Sequence, residues 1–257
     1  MNKKIIGFFN RVKWIRKLGK EILQRRTIAQ SFYSGKIYFN AVEYAIFWMN
    51  EKRCETVDRE VQDKLLLLSQ KCEYFIDVGA NIGIMTLSVA LRNKNIKVIA
   101  YDPNQHLLSY LNRSIIKNGL SDRVKTIAAA ISDKSGQAIM NFSSGPFSSH
   151  LATEGTTVKV ISIEDILEDY KDKRTLIKLD IEGFEKYIIP GMIKKRNPLH
   201  KFIIEVHPKG LNNISDPDLV INELLQNNFI IEDVEGNRIM KKQEINDWDN
   251  ILCYDNI

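Results

Sequence analysis

The stretch FIDVGANIG, Phe75–Gly83, decides how the rest of the chain is read. Phe75, Ile76 and Val78 make a short apolar strand around Asp77, and Gly79, Ala80, Asn81 and Gly83 form a turn into a helix over Ile82–Leu91. Glycine has no Cβ, so a turn of this composition lets backbone N–H groups approach a ligand closely. A second strand, Lys97–Tyr101, ends in Asp102, 19 residues after Gly83, where a carboxylate accepts hydrogen bonds from ribose hydroxyls. Together these residues point to an adenosine-containing cofactor. A dinucleotide turn needs GxGxxG, and here Asn81 stands at the middle glycine. Asp77 also repels a pyrophosphate but attracts the ammonium and sulfonium groups of S-adenosylmethionine, which is therefore the expected cofactor.

Working outward, strands and helices alternate. A helix over His106–Lys117 is closed by Asn118–Gly119, and a third strand is expected over Val124–Ile131. Small residues at its end, Ala130 and Ile131 with Ala129, offer backbone groups and an apolar wall to adenine. The alternation then breaks at the turn Asp133–Gly136. Strands at Gln137–Phe142 and Thr157–Ile161, joined by a Gly/Ser/Pro-rich loop at 143–156, read as a β-hairpin insertion before the fourth core strand. Helix Ile163–Tyr170, strand Leu176–Asp180, helix Glu185–Ile193, strand Phe202–Val206 and helix Asp218–Asn227 follow, with late strands at Phe229–Asp233 and Ile251–Tyr254. This order predicts an α/β domain over residues 61–257, its mostly parallel sheet covered by helices on both faces. Ligands of such sheets bind beyond the carboxyl ends of the strands, where the strand order reverses.

Those ends carry acids. Asp180 and Glu182 close one strand, and Glu205 and His207 the next. They are the candidates for proton transfer, with Asp180, Glu205 or His207 as base and Glu182 orienting the acceptor or Lys178. His207 reads equally as a loop histidine beside Pro208. Glu185, in the first turn of a helix, complements the helix dipole. An oxygen-ligand Mg²⁺ site using Asp180 with Glu205 falls short of a coordination set, so no metal ligand is assigned. Phe147–His150 sits in a polar loop on the expected acceptor side.

Charge is unevenly spread over the 257 residues, whose net charge is +5. Residues 1–26 hold nine Lys or Arg against Glu21 alone, leaving the remainder net negative. Ile5, Val12, Ile15, Leu18 and Ile22 recur at helical spacing within 3–26, so residues 1–60 read as a basic, helical N-terminal extension, with a further helical stretch over 40–69. The basic helix either lies on a membrane surface or packs on the domain through its apolar stripe. No apolar run is long enough to span a bilayer. Cys54, Cys72 and Cys253 are odd in number and widely spaced, which fits a reducing cytoplasm, with peripheral attachment to the inner membrane face as the alternative. An acidic main domain without an aromatic-rich basic patch argues against a nucleic-acid substrate.

Five segments in order, DVGANIG (77–83), AYDPN (100–104), ISDKSG (131–136), LIKLDIEGFE (176–185) and FIIEVHP (202–208), resemble the FkbM family of S-adenosylmethionine-dependent methyltransferases. The resemblance covers about Tyr74 to Pro208, and its most specific part is Lys178–Glu185. It departs at Asp102, where the family more often has glutamate. It implies a Rossmann-like class I methyltransferase fold, S-adenosylmethionine as cofactor, and O-methylation of a hydroxyl on a sugar, glycan or secondary metabolite. RNA or protein methylation, or a membrane-associated binding protein that keeps the fold without the chemistry, are the alternatives. Oligomeric state is not legible.

Overall fold

A computed structural model describes residues 26–48, 53–142, 150–151, 153–211 and 214–255. All but the last residue of the helix expected over 3–26, and the loop residues 147–149, lie outside them.

Strands β1 (Thr27–Phe32) and β2 (Gly35–Asn40) open the described chain, followed by short helices α1 (Ala45–Trp48) and α2 (Arg53–Thr56) and by α3 (Arg59–Ser69). The first core unit is β3 (Tyr74–Val78), α4 (Ile84–Arg92), β4 (Lys97–Tyr101), α5 (Gln105–Lys117) and β5 (Val124–Ile127). An inserted segment holds β6 (Ala130–Ser132), β7 (Gly136–Asn141), β8 (His150–Leu151) and β9 (Thr156–Ser162). The second unit is α6 (Ile163–Asp169), β10 (Thr175–Leu179), α7 (Glu185–Lys194), β11 (His200–Glu205), α8 (Pro217–Gln226), β12 (Phe229–Asp233) and β13 (Asn250–Asp255).

Seven strands form the main sheet in the order β12-β13-β11-β10-β3-β4-β5. β13 alone runs antiparallel to its neighbours β11 and β12, so the sheet is mostly parallel. The chain leaves β3 toward β4 and β5, then returns to lay β10 on the other side of β3. The reversal point therefore lies between β3 and β10, paired in parallel from Thr175 opposite Tyr74 to Leu179 opposite Val78.

Period-two alternation sends neighbouring side chains to opposite faces. Phe75, Val98, Leu176 and Ile203 pack under α3, α4, α5 and the β1–β2 hairpin. Ile76, Ile99, Ile177 and Ile204 pack under α6, α7 and α8. Each such fully buried side chain contributes roughly 1.5–3 kcal/mol. β10 is buried along its whole length, as a central parallel strand must be, yet it carries Lys178.

Two expectations are corrected. The extension is not helical throughout: residues 27–40 form a hairpin turning at Tyr33–Ser34, with Tyr33 at φ 50°. The hairpin docks on α5, where Tyr38 N–H donates to Ser114 Oγ at 2.9 Å and Lys36 N–H to Asn118 Oδ1 at 2.8 Å. Nor is 40–69 a single helix, because Asp58 takes a left-handed φ of 46° before α3 begins. The expected third strand, 124–131, divides at Ala128–Ala129. Its first half completes the main sheet, and its second half, β6, pairs with β9 in a separate four-stranded sheet of order β6-β9-β7-β8, where β7 and β9 run antiparallel.

Candidate active site

At the reversal point the β3–α4 turn meets the end of β10. Gly79 has φ 81°, and a Cβ there would lie 1.9 Å from the carbonyl oxygen of Asp180. Only glycine permits this approach. Gly79 and Ala80 donate their N–H groups to the Tyr101 carbonyl at 2.9 and 3.0 Å, tying the turn to β4. Asn81 follows at φ 53°, a left-handed conformation that asparagine tolerates better than most residues.

Asp102 receives the N–H of Asn81 on one oxygen and that of Asn104 on the other, each at 2.8 Å. Burial raises its pKa to about 6 against those two hydrogen bonds. Asp77 is placed differently from expectation. It does not line the cavity but is buried beneath the turn, accepting the Thr86 hydroxyl at 2.6 Å. Burial pushes its carboxyl pKa up while the nearby Lys178 ammonium pulls it down. In this position it holds the strand-to-helix joint through Thr86. Ala80 is buried and Gly83 caps α4; neither lines the cavity.

The cavity between the turn and the inserted sheet has a volume of about 650 Å³. Gly79, Asn81, Asp102, Ala130 and Ile131 line one side, and Asp180, Glu182, Glu205 and His207 the other. Nine of the residues predicted from sequence thus converge on one space.

The acids form one network around two cations. Lys178 Nζ, with its side chain 3% exposed, lies 3.0 Å from Asp180 Oδ2 and 3.8 Å from Glu205 Oε2. His207 Nε2 lies 3.6 Å from Asp180 Oδ1 and 4.0 Å from Glu182 Oε2, and Nδ1 lies 2.9 Å from Glu185 Oε1. The Nδ1 contact is out of line for a directed hydrogen bond, so it acts as an ion pair. Burial opposes charge on His207, but the Glu185 carboxylate outweighs it and lifts the pKa to about 9. Burial, then the Asp180 charge, raise Glu182 to about 7. Burial and Asp180 likewise push Glu205 up, whereas Lys178 and His207 overcome the burial of Asp180 and hold it ionised.

Glu185 does more than complement a helix dipole. It is buried, it pairs with His207, and its Oε1 accepts the N–H groups of Ile181 and Gly183 at 3.4 Å each. The intervening Glu182 sits at φ 56°, so this carboxylate braces a turn with left-handed backbone.

Three contributors were not legible in sequence. Tyr44, buried beside Phe39 and Phe47, donates its hydroxyl to Asn81 Oδ1. Asp58 reaches the cavity from the start of α3. Trp248 comes from the β12–β13 connection, 52% exposed, its ring edge-on to His207 at 5.2 Å. None belongs to a motif, because long-range folding alone brings them here. For the β1–β2 hairpin that delivers Tyr44 there was a signal, Ser34–Gly35 between alternating runs. Tyr44→Phe is expected to cost about 1 kcal/mol of stability and to weaken cofactor binding a few-fold. Thermal unfolding and calorimetry on the same preparation measure both.

The Methyltransferase FkbM domain model matches residues 77–231. The chain belongs to the FkbM methyltransferase family. The match runs from Asp77 to Ile231, through the turn, Asp102 and the whole acid network. The FkbM chain is 26% identical over 197 residues to the hexuronic acid methyltransferase AglP of Haloferax volcanii, covering 70% of this chain and 78% of that one. Among solved structures it is similar to a precorrin-6y C5,15-methyltransferase from Geobacter metallireducens, with TM-score 0.45 and 11% identity over 77% of this chain and 88% of that one. It is also similar to TYW2 of P. horikoshii, with TM-score 0.48 and 12% identity over 88% and 69%. Among the described residues, no helix is long and apolar enough to cross a membrane.

Proposed function

We propose that this FkbM chain transfers the methyl group of S-adenosylmethionine to a hydroxyl of a sugar or sugar acid. One observation carries the reading: Asp102 and the glycine turn face the Asp180–Glu205–His207 cluster across a single cavity of about 650 Å³ at the reversal point of the sheet. The name of the Haloferax relative supports the acceptor class. Trp248 offers an aromatic face at the cavity wall, of the kind that pyranose rings pack against.

In this reading the Asn81 and Asp102 side of the cavity binds adenosine, with Ala129, Ala130 and Ile131 as its apolar wall. Bound there, S-adenosylmethionine would supply an electrophilic methyl group, and the acid side of the cavity would hold the acceptor oxygen toward it. Positioning that oxygen supplies much of the rate. The hydroxyl proton leaves toward the Asp180–Glu205–His207 cluster, and Glu182 orients the acceptor.

The test is methyl-labelled cofactor offered with uronic-acid-bearing and neutral glycans, the product identified by mass. Calorimetry that detects no cofactor binding to the intact chain would sink the reading. Asp102 also makes it testable by pH. Ribose hydroxyls donate to the ionised carboxylate, whose pKa is about 6 in the free chain. Affinity is therefore expected to fall about tenfold as that carboxylate protonates between neutral pH and pH ~5. The free chain responds in the opposite sense at this residue: a carboxyl with a raised folded pKa favours the folded state more as pH drops through that value. Asp102→Asn should weaken binding at neutral pH at least about tenfold and remove the acid dependence.

A further inference from the structure

We propose that Asp180, Glu205 and His207 form a binding site for one divalent first-row cation. Their donor atoms lie within 4.8 Å of one another. Ligands about 2.1 Å from an ion stand up to ~4.2 Å apart, so a pair at the 4.8 Å limit closes by about 0.6 Å when it spans the ion. His207 Nε2 and Asp180 Oδ1, at 3.6 Å, are already at chelating separation.

The histidine carries the argument beyond a group of acids. Its side chain is 1% exposed, and Nε2 has no hydrogen-bond partner among the described residues although it points at Asp180 and lines the cavity. The other ring nitrogen faces the buried Glu185 carboxylate at 2.9 Å. A carboxylate this close favours a proton on the far nitrogen, which leaves Nε2 as the nitrogen facing Asp180. The ion takes the place of the Nε2 proton, and Lys178 leaves it the facing acid oxygen. Lys178 takes Asp180 Oδ2 and approaches Glu205 Oε2, leaving Asp180 Oδ1 toward His207. Glu182 Oε2, 4.0 Å from Nε2, stands at the rim of the same space.

Two carboxylates and one imidazole, with further positions open to the cavity, suit Mn²⁺ or Zn²⁺ better than the all-oxygen preference of Mg²⁺. A cation there lowers the pKa of a coordinated hydroxyl, the requirement that an alcohol acceptor imposes. This role rests on the proposed function; the ion site itself does not.

The experiment uses the full chain, freed of metal by dialysis against chelator and titrated with Mn²⁺ while the signal of the free ion is followed by electron paramagnetic resonance. Cofactor binding is measured separately by calorimetry. One Mn²⁺ per chain is expected, its affinity lowered at least about tenfold in His207→Ala, Asp180→Asn and Glu185→Gln, and unchanged in the surface variant Glu168→Gln. Because the first three variants remove buried charge, the unaltered chain is also melted with and without millimolar Mn²⁺ at matched ionic strength. A raised Tm is expected, since the ion binds the folded chain alone. Absence of stoichiometric Mn²⁺, or affinity unchanged in both His207→Ala and Asp180→Asn, overturns the proposal. Cofactor binding without ion binding leaves the methyltransferase reading standing and this inference fallen; ion binding without cofactor binding does the reverse.

Discussion

Replacing Gly79 by alanine is expected to abolish cofactor binding and to cost the fold several kcal/mol. Two penalties combine. A left-handed φ of 81° costs a Cβ-bearing residue about 1–2 kcal/mol. The larger penalty is spatial, because the new Cβ would sit 1.9 Å from the Asp180 carbonyl oxygen, a backbone atom that cannot rotate away. To relieve it, β3 and β10 must part at the point where turn and acid network meet. Cofactor affinity should fall beyond calorimetric detection and Tm by roughly 10 °C, taking ~3–4 kcal/mol at 2–4 °C each for a chain of this size. Gly119→Ala is the matched control. Its φ is 66°, and nothing lies within 4 Å of the added Cβ, so about 1 kcal/mol is expected and cofactor binding unchanged. Equal losses in the two variants would show that backbone strain alone, not the contact with Asp180, sets the cost.

The second large effect is expected at Lys178. Its ammonium is buried in a central strand, 3.0 Å from Asp180 and 3.8 Å from Glu205, with the buried Asp77 also drawing on its charge. Lys178→Met keeps the length and apolar stem but strands those carboxylates in the interior. Removing one partner of a buried ion pair costs about 3–5 kcal/mol, because the remaining charge loses its compensation. A Tm drop of roughly 10 °C is expected, with methyl transfer lost even in chains that remain folded. Lys171→Met, which removes an exposed partner 2.6 Å from Glu168, should leave both nearly unchanged. Comparable melting of the two variants would refute the view that Lys178 neutralises the core of the site.

Much of this was readable before any coordinates. The mostly parallel sheet followed from apolar runs separated by helix-length segments, and the strands at 74–78, 97–101 and 229–233 fall where the pattern places them. Gly79, Asn81, Asp102, Asp180, Glu182, Glu205 and His207 could be nominated because strand ends in such a sheet share one edge. What failed was local. Residues 40–69 are rich in helix formers, yet one left-handed residue at Asp58 divides them, and helix propensity does not register such breaks. Apart from Lys125, residues 124–131 are apolar or small, so nothing along the chain marks Ala128–Ala129 as the point where the strand changes sheets.

Asp77 and Glu185 show the same limit at the site. As letters both are acids flanking a cofactor loop or a helix start. Burial separates them from the cavity, so Asp77 braces a joint through Thr86, and Glu185 holds the ring of His207. The order of strands, the glycine at the turn and the spacing of the acids are one-dimensional properties, and the sequence by itself determined them. Which carboxylates face the cavity, which are neutralised by Lys178, and the arrival of Tyr44, Asp58 and Trp248 depend on contacts between residues far apart in the chain. Those contacts exist only once the sheet closes, so only the tertiary structure decided them.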